Sequence, residues 1–223
     1  MTHPRLCSLR LEAAKAPYLA NDNIADHLLP GEIEQLQAEV QEKVEAMLQS
    51  LVIDTKRDHN TKGTAERVSR MYIQEVFKGR YRNPPTITDF PNFKDLDEIY
   101  SVGPITVRSA CSHHLVPILG KCWIGIHPGQ RVIGLSKFNR LCEWVFSRPH
   151  IQEEAVMILA DQIEELVAPK GLMVIVQVRA LIPAESERWT EHTLRLSPHC
   201  ALSEAWRYAA SAHRWPPEHS TCE

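Results

Sequence analysis

Uninterrupted apolar runs are missing from this sequence. Nowhere do the 223 residues approach the roughly 20 consecutive apolar positions that a membrane helix requires. Lysine and arginine never gather into a long block, and the formal net charge is −3, so a nucleic-acid surface is not expected. Small basic pockets for anions stay open. The six cysteines, Cys7, Cys111, Cys122, Cys142, Cys200 and Cys222, lack the spacing of a disulfide framework. The N-terminus carries no basic region followed by an apolar run. Together these absences lead to the expectation of a reduced, cytoplasmic protein. Internal repeats and low-complexity segments are absent too, which leaves one full domain with an appended helical segment.

Residues 1–29 mix proline, alanine and charge without a sustained period, and read as a flexible lead or as an arm that packs on a partner. From Gly31 to Leu51, Ile33, Leu36, Val40, Val44, Met47, Leu48 and Leu51 recur at three- and four-residue steps, which predicts an amphipathic helix. A polar loop, Asp54 to Lys62, leads to Thr64 as the expected cap of a second helix that ends at Gly79. Arm and first helix form an expected N-terminal segment, 1–62, and the main domain spans 63–223. Pro84-Pro85 and Asp89 to Asn92 have the turn chemistry of an ordered crossing loop.

Two β-like runs follow, around Ile105 to Ser109 and Gly120 to His127, with Pro128-Gly129 turning the chain. Ser136 is the expected cap of one helix, and a second is expected from about His150 to Val167. Leu172, Val174, Val176 and Val178 alternate in a long strand. A final strand from Arg188 to Leu196 and a helix from about Ser203 to Ala212 complete the pattern. The class is α+β, an antiparallel sheet with helices on one face.

Chemistry concentrates at Cys111-Ser112-His113-His114, where a strand delivers a thiol and two imidazoles to its end. Cys111 and His114 have a spacing from which one turn can offer a sulfur and a nitrogen to one zinc, leaving His113 as a proton carrier. The same residues also read as ordinary surface positions at a strand end. A catalytic zinc takes three protein ligands, so a further ligand is expected elsewhere. Gly134 to Arg140 joins a turn to a helix start, with Lys137 and Arg140 a turn apart: an anion cradle, or a capped helix with two surface cations. Gln152-Glu153 offers an amide and a carboxylate, and a carboxylate accepts from the N1–H and 2-amino group of guanine. A glutamate near a helix start equally serves to complement the dipole.

In this order, Thr64-Ala-Glu-Arg-Val68, Ser109-Ala-Cys-Ser-His-His-Leu-Val-Pro117, Gly120-Lys121, Gly134-Leu-Ser-Lys-Phe-Asn-Arg140 and Arg148-Pro-His-Ile-Gln-Glu153 resemble GTP cyclohydrolase I, which opens the guanine imidazole ring to begin pterin synthesis. The resemblance implies a tunnelling fold that assembles as a homo-oligomeric ring, a pentamer or decamer, with active sites at subunit interfaces. It implies zinc or another divalent metal on Cys111 and His114, His113 as acid and base, Gln152 and Glu153 on guanine, and Ser136, Lys137 and Arg140 on triphosphate.

The departures carry information as well. Where the family has His-x-Cys and then Arg-Gly after the long strand, ungapped register puts Ala180, Ile182 and Ser186-Glu187. Alanine moves no proton, isoleucine binds no zinc and serine neutralises no phosphate. Ser112 stands where the family often has glutamate. Glu185, His192, His199 and Cys200 are the candidates for a rebuilt third ligand. The leading expectation is a hydrolase that opens the ring of guanine or a related purine nucleotide at C8, stopping short of pterin ring closure. Two alternatives stand beside it: a non-catalytic purine- or pterin-binding or regulatory relative, and an enzyme using Cys111 as a nucleophile.

Overall fold

The computed structural model of the chain describes residues 5–180 and 190–196. The N-terminal part holds α1 (Arg5–Ala13), a short 3-10 turn and α2 (Glu32–Ser50), followed by α3 (Thr64–Arg70), a π-helical turn (Met71–Val76) and α4 (Lys78–Tyr81). The remainder alternates β1 (Asp89–Pro91), β2 (Tyr100–Cys111), β3 (Pro117–His127), β4 (Arg131–Ile133), α5 (Leu135–Phe146), β5 (Pro149–His150), α6 (Gln152–Val167), β6 (Gly171–Ala180) and β7 (Thr190–Leu196). The expected helix from Ser203 lies outside the described residues. No helix among the described residues is long and apolar enough to cross a membrane.

Five strands form the main sheet in the order β5-β2-β3-β6-β7. β2, β3, β6 and β7 are antiparallel neighbours, as the alternating runs predict. β5 is the exception, a two-residue strand running parallel to the end of β2. Periodicity does not reveal it, because two residues carry no period and Pro149 reads as a helix breaker. Its presence moves the start of α6 from the expected His150 to Gln152.

The apolar alternation decides which face is covered. Val107, Cys122, Ile124, Val174 and Val176 project from one side of the sheet and pack on Phe138, Leu141 and Val145 of α5 and Val156, Leu159 and Ile163 of α6. Phe138, Ile124, Val174 and Ile163 have no exposed surface, and each such side chain adds about 1.5–3 kcal/mol of burial free energy as an upper bound. This helix layer on one face is the α+β arrangement expected from the pattern.

Three local expectations are corrected. Thr64 and Ser136 are not helix caps: Gly63, in the left-handed region, and Gly134 hold those positions, and neither cap makes a side-chain hydrogen bond. The Thr64 hydroxyl instead accepts from Arg67. Gly79 does not terminate a helix but lies buried within α4, where a Cβ would fall on the Trp144 carbonyl. It is a close-approach position, confirmed by its N–H donating to the Ser147 carbonyl at 2.9 Å.

Residues 18–24 are not a loose lead. The Arg80 guanidinium donates to the carbonyls of Tyr18, Leu19, Ala20 and Asp22, and the Ile24 N–H donates back to the Arg80 carbonyl. Asn23 donates to the Gly79 and Arg82 carbonyls. One half-buried guanidinium thus takes the place of an apolar period and holds the arm against its own chain.

Candidate active site

β2 ends at Cys111, and the chain reverses through residues 112–116 into β3. The reversal is pinned from several sides. Leu115 N–H donates to the Cys111 carbonyl at 2.8 Å, Cys111 N–H to the Val116 carbonyl at 3.0 Å, and Tyr72 Oη to the Leu115 carbonyl at 3.3 Å. Leu115 adopts φ +55°, a left-handed conformation that costs a branched side chain about 1–2 kcal/mol. Tyr72 lies in the π turn, whose widened backbone, with Phe77 N–H on the Tyr72 carbonyl, turns that ring toward the site.

The turn brings the three expected groups together. Cys111 Sγ lies 3.8 Å from His114 Nδ1 and 3.9 Å from His113 Nδ1, with the imidazole centroids 6.3 Å apart. Both histidines are exposed and Cys111 is half-buried. Zinc bonds of about 2.3 Å to sulfur and about 2.1 Å to nitrogen at a tetrahedral angle put two donors about 3.6 Å apart, so Cys111 and His114 fit one edge of such a site. Among the described residues no group of three histidine, cysteine, aspartate or glutamate donors forms.

Sheet register locates the missing positions. Ser109 pairs with Ile118 and Ile118 with Ala180, so β6 arrives at the Cys111 end of the sheet with an alanine. Ile182, Glu185, Ser186, Glu187, His199 and Cys200 lie outside the described residues. His192 falls between Glu191, opposite Gln177, and Thr193, opposite Val176. That level corresponds to Cys122 and Ile105, roughly 20 Å down the strand from Cys111, too far for a ligand in the same chain.

β5 connects this turn to the guanine-binding candidates. His150 pairs with Cys111, and the Ser112 N–H donates to the His150 carbonyl at 3.1 Å. α6 begins two residues later, so Gln152 and Glu153 open a helix beside the thiol and imidazoles. Their side chains differ in availability. Gln152 Nε2 donates to the Val176 carbonyl at 2.9 Å, tying α6 to β6. Glu153 is exposed and makes no hydrogen bond or ion pair among the described residues.

The triphosphate candidates are not brought to the same place. Ser136, Lys137 and Arg140 occupy the first half of α5, whereas the other end of α5 abuts β5 through the Phe146 and His150 rings. Ser136 is roughly 15 Å of helix from Phe146. Arg140 lines a cavity of about 210 Å³ with Lys78, Arg82, Asn83 and Trp144. A larger groove of about 810 Å³ runs along β2 and α5, but it stops at Ser109 and Pro117 and does not take in Cys111.

Two buried cationic-type side chains escape a reading by spacing. Arg148, 3% exposed, stacks over Trp144 at 3.9 Å and donates to the Gly79 and Asn21 carbonyls, each at 3.0 Å. Burial lowers its pKa to about 10, with Asp22 opposing that shift and Arg80 adding to it. His150, 2% exposed, donates from Nε2 to the Val145 carbonyl at 2.6 Å, while Nδ1 is buried with no partner among the described residues. Burial holds its pKa down at about 4, the Val145 contact opposing and Arg148 assisting. Both belong to the Arg148-Pro-His-Ile-Gln-Glu motif, and that shared motif was the only signal in the sequence.

The profile of the family GTP cyclohydrolase I matches residues 40–182. The chain belongs to this family. GTP cyclohydrolase 1 of Flavobacterium johnsoniae is 34% identical over 145 residues, covering 64% of each chain. The proteins of the same name from Edwardsiella ictaluri and Aliivibrio salmonicida are 39% identical over 112 residues and 32% over 145, covering 50% and 65% of this chain and 51% and 66% of theirs. The matches thus span about half to two thirds of these curated relatives. Among solved structures, archaeosine synthase QueF-Like in the apo form aligns with a TM-score of 0.34 at 12% identity, over 52% of this chain and 94% of that one, a likeness too weak to add to the family match. The α+β architecture agrees with the tunnelling fold expected for a GTP cyclohydrolase I relative.

Proposed function

We propose that this GTP cyclohydrolase I relative is a hydrolase that opens the imidazole ring of guanine or a closely related purine nucleotide at C8. The observation that carries the reading is the β2–β5 junction, which sets the Cys111–His114 turn directly beside the start of α6. There Cys111 and His114 hold zinc or another divalent metal, and His113 carries the proton to and from the ring nitrogen. When bound, the metal supplies Lewis-acid activation of water near neutral pH. Glu153 accepts from the N1–H and 2-amino group of guanine, and Gln152 fixes the helix that carries it.

Ser136, Lys137 and Arg140 bind the phosphates, and their place in the first half of α5, away from the end that meets β5, supports their being supplied by a neighbouring subunit. The functional unit is therefore a homo-oligomeric ring, in the cytoplasm. No nucleic acid or membrane takes part. Ala180 at the Cys111 end of β6 favours a second reading, in which one proton carrier is gone and the protein binds a purine or pterin without completing the reaction. Loss of one positioned acid or base costs about 10²- to 10⁴-fold, which fits a reaction that stops before pterin ring closure.

Mass spectrometry of GTP incubated with the metal-reconstituted protein, alongside a Cys111→Ala control, tests both. One added water shows ring opening, and a further water with loss of formate shows the whole hydrolytic sequence. GTP that binds but returns intact rejects hydrolysis and leaves the binding role. Product formed by the control would overturn the role of Cys111.

A further inference from the structure

We propose that Asn21, in the N-terminal arm, is a positioning residue for guanine recognition, acting through Glu154 on its neighbour Glu153. The inference rests on the reading of Glu153 as the guanine anchor.

The segment from Arg148 to Glu154 joins the guanine-binding helix to the Cys111 turn. Its middle is held by the Ser112 N–H on the His150 carbonyl and by Gln152 on the Val176 carbonyl. Both of its ends are held by Asn21. The Asn21 carbonyl accepts from Arg148 Nη1 at 3.0 Å, and Asn21 Nδ2 donates to Glu154 Oε2 at 2.7 Å.

Asn21 can do this because its own backbone is immobilised. Arg80 grips the carbonyls of Leu19, Ala20 and Asp22 on either side of it, and Asn23 anchors the next turn to Gly79 and Arg82. A side chain on so fixed a backbone transmits its position to whatever it bonds. Glu154 is exposed at the first turn of α6 next to the equally exposed Glu153. Bonded to Asn21, the Glu154 carboxylate is drawn toward the arm, and Glu153 is left as the unengaged carboxylate of that turn. Without that bond the first turn of α6 loses its tie to the arm, and the Glu153 carboxylate it carries loses its fixed position at the base edge.

The experiment compares binding of GTP with that of inosine triphosphate, which lacks the 2-amino group. Calorimetric titration of the full chain in a Cys111→Ala background keeps the nucleotide intact. The proposal predicts that Asn21→Ala lowers the preference for GTP over inosine triphosphate by roughly three- to tenfold, the scale of one hydrogen bond. Affinity for inorganic triphosphate stays the same. Glu154→Ala produces the same loss from the other partner, and combining the two adds nothing further. Glu154→Gln, which keeps an acceptor, restores most of the preference.

A structural role alone would weaken both nucleotides equally and leave their ratio unchanged, and that result overturns the proposal. Should Asn21→Ala unfold the arm, the surface substitution Glu154→Ala still decides between the two. If the Cys111→Ala parent itself fails to prefer GTP, the guanine reading of Glu153 falls, and the proposal with it. If the parent discriminates and both variants discriminate equally well, only the role of Asn21 is refuted.

Discussion

His150 makes acid sensitivity of the folded state a quantitative expectation. Its ring is 2% exposed and its pKa is lowered from 6.5 to about 4, first by burial and further by Arg148, against the opposing pull of the Val145 carbonyl. A histidine that resists protonation when folded but accepts a proton when unfolded favours the unfolded state in acid. The stability it permits is complete above about pH 6.5 and is lost as the pH falls through about 4. The full difference corresponds to about 3 kcal/mol, of which about 2.5 kcal/mol disappears between roughly pH 7.5 and 4.5. Urea unfolding at several pH values and one protein concentration measures it. The comparison is His150→Gln, which keeps an amide donor for the Val145 carbonyl and does not titrate. The variant should show a pH slope shallower than the parent by the amount above. Parallel slopes would refute the reasoning and mean that the imidazole reaches water or an acid in the native state. An NMR titration adds an independent check, since the His150 resonances should not move above about pH 5.

Gly79→Ala forces a methyl group onto the Trp144 carbonyl, and thermal or urea unfolding should show a loss of about 1–3 kcal/mol. Arg80→Met removes the donor shared by four arm carbonyls. Limited proteolysis should then cut within residues 18–24, with stability falling by about 2 kcal/mol; an unchanged cleavage pattern would show that the arm is held by other contacts. Cys111→Ala and His114→Ala should each weaken zinc affinity by at least about a hundredfold, more than the loss of an outer-shell partner, as read by chelator competition and metal content. Full retention of zinc by either variant would remove that residue from the ligand set.

The site and the fold were legible to different depths, and the reasons are physical. Alternation and the three- to four-residue period directly record which side chains meet the core, so the long strands, α2, α5 and α6 follow from the order of apolar residues. The Cys111–His114 turn was legible because its donors are adjacent in sequence, and their 3.8 and 3.9 Å separations realise that adjacency. Contacts that depend on backbone carbonyls leave no such record. The two-residue strand β5, the close approach at Gly79, and the grip of Arg80 and Arg148 on the arm have no period and no motif of their own. A carbonyl acceptor is available at every residue, so only the tertiary arrangement selects which ones a buried guanidinium or imidazole will bond.

Individual residues show the same division. Sequence named Gln152 and Glu153 together, whereas the fold commits Gln152 to the Val176 carbonyl and leaves Glu153 exposed. Sequence placed Lys137 and Arg140 in one reading with Cys111, but a helix rises about 1.5 Å per residue and α5 carries them away from it. The residue types alone determined which chemistry this GTP cyclohydrolase I relative can attempt. Which of those groups stand together, which are spent on holding the backbone and which are carried apart was decided only by tertiary structure, because register and helix length convert neighbours in sequence into distances in space.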